Sequence, residues 1–161
     1  MPPWLPDLAD TNGQWDDVVT RLYEIFRRGF VQARLMLDGV PVWHDRRTID
    51  DPHQEGFWHL ITKTGRDTGD RLLDPRRAER IGWCAAAIAN AGDPAVTRFN
   101  YREGNKKLRT YLWLRDLDYV VILERVERGG RLRAWTLITA YYLEGASGRR
   151  GMERRFAQRE P

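Results

Sequence analysis

Four runs between Val96 and Leu143 constrain this chain more than any other feature. Val96 to Tyr101, Leu108 to Leu114, Tyr119 to Glu127 and Leu132 to Leu143 are rich in β-branched and aromatic residues, and the loops between them carry Gly104-Asn105, Asp116 to Asp118 and Gly129-Gly130. Runs of this kind joined by short, turn-forming loops predict an antiparallel meander. In the last two, both alternating sets are largely apolar: Val120 and Ile122 against Val121 and Leu123, Trp135 and Leu137 against Ile138 and Ala140. A sheet with one wetted face alternates apolar with polar residues, so this pattern predicts a sheet covered on both faces. Helices on one side and the N-terminal part of the chain on the other are expected to supply the covers.

Helical spacing appears ahead of the runs. From Asp16 to Phe30 the residues Val18, Val19, Leu22, Tyr23, Ile25 and Phe26 recur every three or four positions, as on an amphipathic helix, with Gly29 as its expected end. Val31 to Leu37, Asp38-Gly39 and Val40 to Val42 read as a hairpin. Gly56 to Thr62 reads as a short strand, followed by a polar loop through Gly65 and Gly69. Pro75 after Asp74 is the start signal of a central helix running to about Ala91, with Ile81, Ala85, Ile88 and Ala89 on its apolar side. Arg76, Arg77 and Arg80 load its first turns. Cations at the positive end of a helix dipole cost roughly a few tenths of a kcal/mol each unless an anion is near. Beyond the runs, five arginines between Arg149 and Arg159, around Met152 and Phe156, predict a short basic helix. The expected fold class is α+β: N-terminal helix and hairpin, central helix, four-stranded twisted antiparallel sheet and C-terminal basic helix. It is read as one domain over 1–161, an acidic front unit at 1–55 and a core at 56–161.

Composition narrows the function. With 161 residues, 42% apolar and 31% charged, the chain has the balance of a globular protein. Cys84 is the only cysteine, so no internal disulfide forms, and no Cys/His cluster has zinc-site spacing. The start, MPPWLPDLAD, lacks a basic-then-apolar leader, and no run approaches the ~20 apolar residues of a membrane span; a cytoplasmic location without membrane contact is expected. Residues 1–62 hold six basic and ten acidic side chains, whereas 63–161 hold 21 and 13. That asymmetry attracts a polyanion to the later part. Arginine makes up 24 of the 27 cations, a bias that a GC-rich genome also produces.

No P-loop, dinucleotide-binding glycine turn, nucleophile elbow or His-Glu-x-x-His helix occurs, which removes most familiar cofactor and hydrolase classes. What remains is a polar set among apolar neighbours: His59 within Phe57 to Thr62, Arg77 and Arg80 on the central helix, and Thr139 and Tyr141 within Leu137 to Tyr142. Each has a plain structural alternative: a hydrogen-bonded His beside Trp58, an Arg80 paired with Glu79 or Asp74, a Tyr141 in the core. Lys106, Lys107 and Arg109 form a basic entry to a strand and Arg150 lies in the basic tail; these are candidate RNA-backbone contacts or solvated charge. His44 and His53 lie in polar loops, and Cys84 in a small-residue helix reads as an inert buried side chain.

The order of these motifs resembles the phage-associated branch of the ribonuclease superfamily that groups barnase, EndoU, colicin nucleases and RelE-like toxins. The likeness runs from His59 to the C-terminus, through R-x-x-R-I-x-W (Arg77 to Trp83), Y-L-W-L-R (Tyr111 to Arg115), Y-V-V-I-L (Tyr119 to Leu123) and L-I-T-A-Y-Y (Leu137 to Tyr142). The resemblance implies helices followed by a four-stranded antiparallel sheet, and metal-independent endoribonuclease chemistry with no cofactor, in which the ribose 2′-hydroxyl attacks the adjacent phosphate to leave a cyclic phosphate. It implies His59 as general acid or base, Arg77 and Arg80 on the scissile phosphate, Thr139 as a donor to a phosphate oxygen and Tyr141 as an aid to proton transfer or base orientation. Histidine titrates near neutrality and arginine presents a fork that fits a phosphate, so these residue types suit those roles. RNA is the implied partner, with an antitoxin or immunity protein as a second. A non-catalytic RNA-binding or protein-binding regulator on the same fold stands as the alternative.

Overall fold

The computed structural model describes residues 1–65 and 69–161. The four C-terminal runs form β5 (Thr97–Arg102), β6 (Leu108–Leu114), β7 (Tyr119–Arg128) and β8 (Arg131–Tyr142), each antiparallel to the next. The sheet is larger than the expected four strands. The hairpin strands β1 (Met36–Leu37) and β2 (Val40–Trp43) extend it beyond β8, giving the order β1-β2-β8-β7-β6-β5 with β2 parallel to β8. The hairpin closes through Asp38-Gly39, both at positive φ (54° and 78°).

Both faces are covered, but the covers are distributed differently from expectation. α1 (Trp15–Phe26) and α4 (Ile81–Ala89) share one face: Val18, Leu22, Phe26, Ile81, Cys84 and Ile88 are buried against Leu112, Leu114, Val121, Leu123, Trp135 and Leu137. The opposite face is covered by α5 (Gly145–Ala157), the C-terminal basic helix, whose Met152 and Phe156 pack with Phe99, Trp113, Val120 and Leu143. The front unit therefore joins the central helix rather than opposing it, and the alternating apolar sets of β7 serve two separate cores.

Three local readings are corrected. Gly29 does not end the first helix; the chain continues through a π-helical turn over Arg27–Gln32, where a Cβ on Gly29 would stand 2.9 Å from the Ala85 Cβ. Gly29 is there for close packing against α4. The segment at Gly56 to Thr62 is not a strand: Glu55–Ile61 is a helix, α2, because Phe57, Leu60 and Ile61 at three- and four-residue spacing reach one buried side. Each such burial is worth about 1.5–3 kcal/mol. Gly56 lets the helix start against the preceding segment, since a Cβ there would meet the Asp45 carbonyl oxygen at 3.0 Å. The polar loop carries a two-stranded antiparallel ribbon, β3 (Thr62–Thr64) with β4 (Arg71–Leu73); its tip, 66–68, lies outside the described residues.

The central helix is broken in two, α3 (Pro75–Glu79) and α4, at Arg80 (φ −103°, ψ 16°). Asp74 caps α3 as expected, its side chain accepting from the Arg76 and Arg77 amides at 3.1 and 3.3 Å. Among the described residues no helix is long and apolar enough to cross a membrane.

Candidate functional site

The site is positioned by the way β8 ends its pairing with β2. The parallel contact covers only Trp135 and Thr136, so the edge of β8 from Leu137 onward is free of β2 and is approached instead by α2 and α3. A β-bulge interrupts β8 here: Leu123 pairs with Leu137 while Ile122 pairs with Thr139, leaving Ile138 as the extra residue. Ile138 packs with the α5-side core, so the bulge turns two consecutive residues, Ile138 and Thr139, to one face. Tyr141 pairs with Val120 and lies on that same face, as the two-residue period predicts.

Over this bulge opens a cleft of about 530 Å³ lined by His59, Thr62, Lys63, Thr64, Arg71, Arg77, Ile138 and Thr139. Three of the five expected catalytic residues line it: His59 from α2, Arg77 from α3 and Thr139 from β8. Among the described residues its charged lining is Lys63, Arg71 and Arg77, with no carboxylate. A second concavity, about 310 Å³ beside Met1 to Pro3, has Asp93 and Asp116 as its charged side chains and no arginine or lysine among its described lining.

His59 is exposed, in the last turn of α2, while Leu60 and Ile61 beside it are buried. Its charge reaches two carboxylates, Asp45 and Glu55, both of which it helps keep ionised. Asp45 is held down at about 2, first by its hydrogen bonds from Arg47 (2.7 and 3.0 Å). Glu55 lies below the ordinary carboxylate range because Arg71 donates to it twice, at 2.6 and 3.2 Å. One Arg71 face thus ties β4 to the start of α2 while the residue also lines the cleft.

Arg77 is a clamp as well as a cation. Its Nη1 donates to the carbonyl oxygens of Thr62 (2.9 Å) and His59 (3.3 Å), and its Nε lies 3.4 Å from Asp74 Oδ2 as an ion pair without hydrogen-bond geometry. Its guanidinium also sits 5.5 Å from the centre of the Tyr141 ring. Tyr141 is half-buried under it, and burial pushes its hydroxyl above the ordinary phenol range against the opposing pull of Arg155 and Arg77. Tyr141 is therefore a hydrogen-bond donor at neutral pH and not a base.

The remaining expected residues stand elsewhere. Arg80 is 8% exposed and does not line the cleft. Its Nη1 donates to Glu79 (2.6 Å) and to the Arg76 carbonyl (3.0 Å), and its guanidinium lies over the rings of Tyr142 (4.2 Å) and Trp83 (5.0 Å). Lys106 and Lys107 lie in the β5–β6 turn, two to three strand spacings or roughly 10–14 Å across the sheet from β8. Arg109 pairs with Glu124 at 3.9 Å, and Arg150 is exposed on α5. Thr62, Lys63 and Arg71 are cleft residues that sequence reasoning did not single out, Thr62 being read as the end of a short strand and Lys63 as the start of the polar loop; the signal was the alternation Thr62-Lys63-Thr64, too short to stand out. Cys84 is fully buried and its thiol is pushed up by that burial, in line with an inert side chain. Among the described residues no group of three or more His, Cys, Asp or Glu is arranged to hold a metal ion.

No protein-family model, curated protein or solved structure matches the chain.

Proposed function

We propose that the chain is an endoribonuclease of the barnase, EndoU, colicin and RelE-like kind, cleaving RNA by 2′-hydroxyl attack on the adjacent phosphate. The observation that carries this reading is the shared cleft: an imidazole, a guanidinium and a hydroxyl from three separate elements meet in one cationic concavity. The chemistry asks for a group that moves a proton near neutral pH and for donors around a phosphate that gains charge. His59 is exposed and supplies the first. Lys63, the free edge of Arg77 and the Thr139 hydroxyl supply the second. Tyr141, kept protonated and stacked under Arg77, serves as a donor. Arg80 acts at one remove, as a packed support under Tyr142.

A second reading, an RNA-binding protein without cleavage, is favoured by one observation: Arg77 already spends Nη1 on two backbone carbonyls. Incubation of the purified protein with RNA in EDTA separates the two. The nuclease reading expects fragments ending in a 2′,3′-cyclic phosphate, lost in His59→Ala. RNA left intact at high protein concentration, but bound in a salt-sensitive manner, selects the second reading.

A further inference from the structure

We propose that Trp43 is a nucleobase-stacking platform for single-stranded RNA whose backbone enters the His59 and Thr139 cleft. The inference rests on RNA being the ligand of that cleft, and it adds a specificity element that the cleft itself lacks.

Trp43 is the last residue of β2, level with Thr136 of β8. Val42 before it is buried in the core under α1, so the pleat turns Trp43 to the opposite face, the one on which Ile138 and Thr139 stand. α5 covers the other end of that face, around Phe99, Trp113 and Leu143. The Trp43 side is left open, and the residue is 47% exposed. From the level of Thr136 to Thr139 the strand advances roughly 7–10 Å, a span that the nucleotide next to the one in the cleft covers.

An exposed tryptophan is ordinary when it stands alone. What distinguishes Trp43 is what the other large indoles do. Trp58, Trp83 and Trp135 each donate through Nε1, to Asp51, the Pro6 carbonyl and the Leu37 carbonyl, Trp113 is buried, and Trp4 is packed against the core. The Trp43 indole makes no hydrogen bond, ring contact or cation contact with any described residue, although its backbone pairs with β8. Trp15 is equally exposed at 48% but is followed directly by two carboxylates, Asp16 and Asp17, which repel a polyanion. Trp43 instead shares a sheet face with the cleft residues Ile138 and Thr139, and Glu124, in register with Thr136 on that face, is paired with Arg109.

The placement is also fixed. The Asp45 and Arg47 carbonyls, two and four residues after Trp43, accept from the Gly56 and Glu55 amides at 2.8 Å each, binding this segment to the start of the helix that carries His59. The backbones carrying Trp43 and His59 are thus joined through two hydrogen bonds, which suits a stacking surface that must register a strand against a reactive group. Stacking on an aromatic ring is sequence-tolerant and demands an unpaired base, so the ligand class is single-stranded RNA.

The test measures binding of a fluorophore-labelled single-stranded 2′-O-methyl RNA, which cannot be cleaved, to the wild type and to Trp43→Leu, Trp43→Phe and Trp15→Leu. Trp43→Leu is expected to weaken binding about 5- to 100-fold, Trp43→Phe less, and Trp15→Leu not at all. The same sequence as a duplex is expected to bind the wild type and Trp43→Leu alike. Equal affinity of the wild type and Trp43→Leu for the single strand, or no binding to either, overturns the platform. If Trp43 supports binding while unmodified RNA is never cut, the nuclease reading falls and the platform stands; if RNA is cut and Trp43→Leu binds normally, the reverse holds.

Discussion

Arg77 donates to the carbonyl oxygen of Thr62 at 2.9 Å, across a sequence gap of fifteen residues, and so locks the end of α2 to α3 at the mouth of the cleft. Thr62 is buried, and a carbonyl deprived of its donor costs about 1–3 kcal/mol. Arg77→Ala is therefore expected to lower Tm by roughly 2–4 °C per kcal/mol lost. Arg77→Lys keeps the charge and loses the fork. It should retain RNA binding better than Arg77→Ala while still lowering Tm, and a Lys variant as stable as the wild type would show that the clamp carries no weight.

His59 makes the opposite expectation. Its imidazole is exposed and no described group donates to or accepts from it, so His59→Ala should leave the stability within about half a kcal/mol of wild type. RNA cleavage should fall about a hundredfold or more, the usual scale for losing a general acid or base. A variant that cleaves as the parent does removes His59 from the chemistry.

The meander was legible because β structure with two apolar faces leaves a strong mark, and Pro75 after Asp74 marked a helix start that the cap bonds bear out. α2 was not legible: seven residues hold barely two turns, and Phe57-Trp58 beside Leu60-Ile61 read equally well as an extended run. The parallel pairing of β2 with β8 joins residues more than ninety positions apart, which no local pattern carries. Of the site, His59, Arg77 and Thr139 were found as residue types in apolar settings. The phosphate role of Arg80 is what the family resemblance implies, while its plain alternative, pairing with Glu79, is the contact the structure shows; its fold over two aromatic rings leaves no mark in the sequence.

Asp74 gives a prediction about the α3 cap. Its side chain accepts from two orphan amides and also faces the Arg77 guanidinium. Asp74→Ala is expected to cost about 1 kcal/mol, more than an exposed substitution would, whereas Asp74→Asn keeps the cap acceptor and should recover most of it. Thermal unfolding of the two variants reads the difference, and equal losses would assign the effect to charge alone.

His44 supplies a pH dependence. It is 7% exposed between the Phe26 and Phe30 rings, with Nε2 2.6 Å from Gln54 Oε1 and Nδ1 unpartnered. Burial lowers its pKa below the ordinary 6.5, with Arg46 adding to the fall and the Gln54 contact and Asp45 opposing it. The unfolded chain then binds this proton before the folded one does, so stability is full above about pH 6.5 and declines as pH falls through the window below it. Carboxylates enter only lower, since their unfolded values lie near 4. Tm should decline between pH 7 and 5 in the wild type and much less in His44→Gln; parallel curves would place the titration elsewhere.

The salt dependence of RNA binding counts the cations that act. Lys63 is exposed and makes no ion pair with a described residue, whereas Arg71 is bound to Glu55 and Arg77 to Asp74. A single-stranded ligand releases about 0.7 counterion for each phosphate neutralised, so three cleft cations give a slope near −2 in log K against log salt. Lys63→Ala should flatten that slope by about 0.7, since its ammonium is fully available to a phosphate. Glu55→Gln should not flatten it, because it frees Arg71 from its carboxylate and leaves the cation in place. A slope unchanged in Lys63→Ala, measured with the same uncleavable oligonucleotide, would mean that the strand runs past the β3–β4 ribbon without touching it.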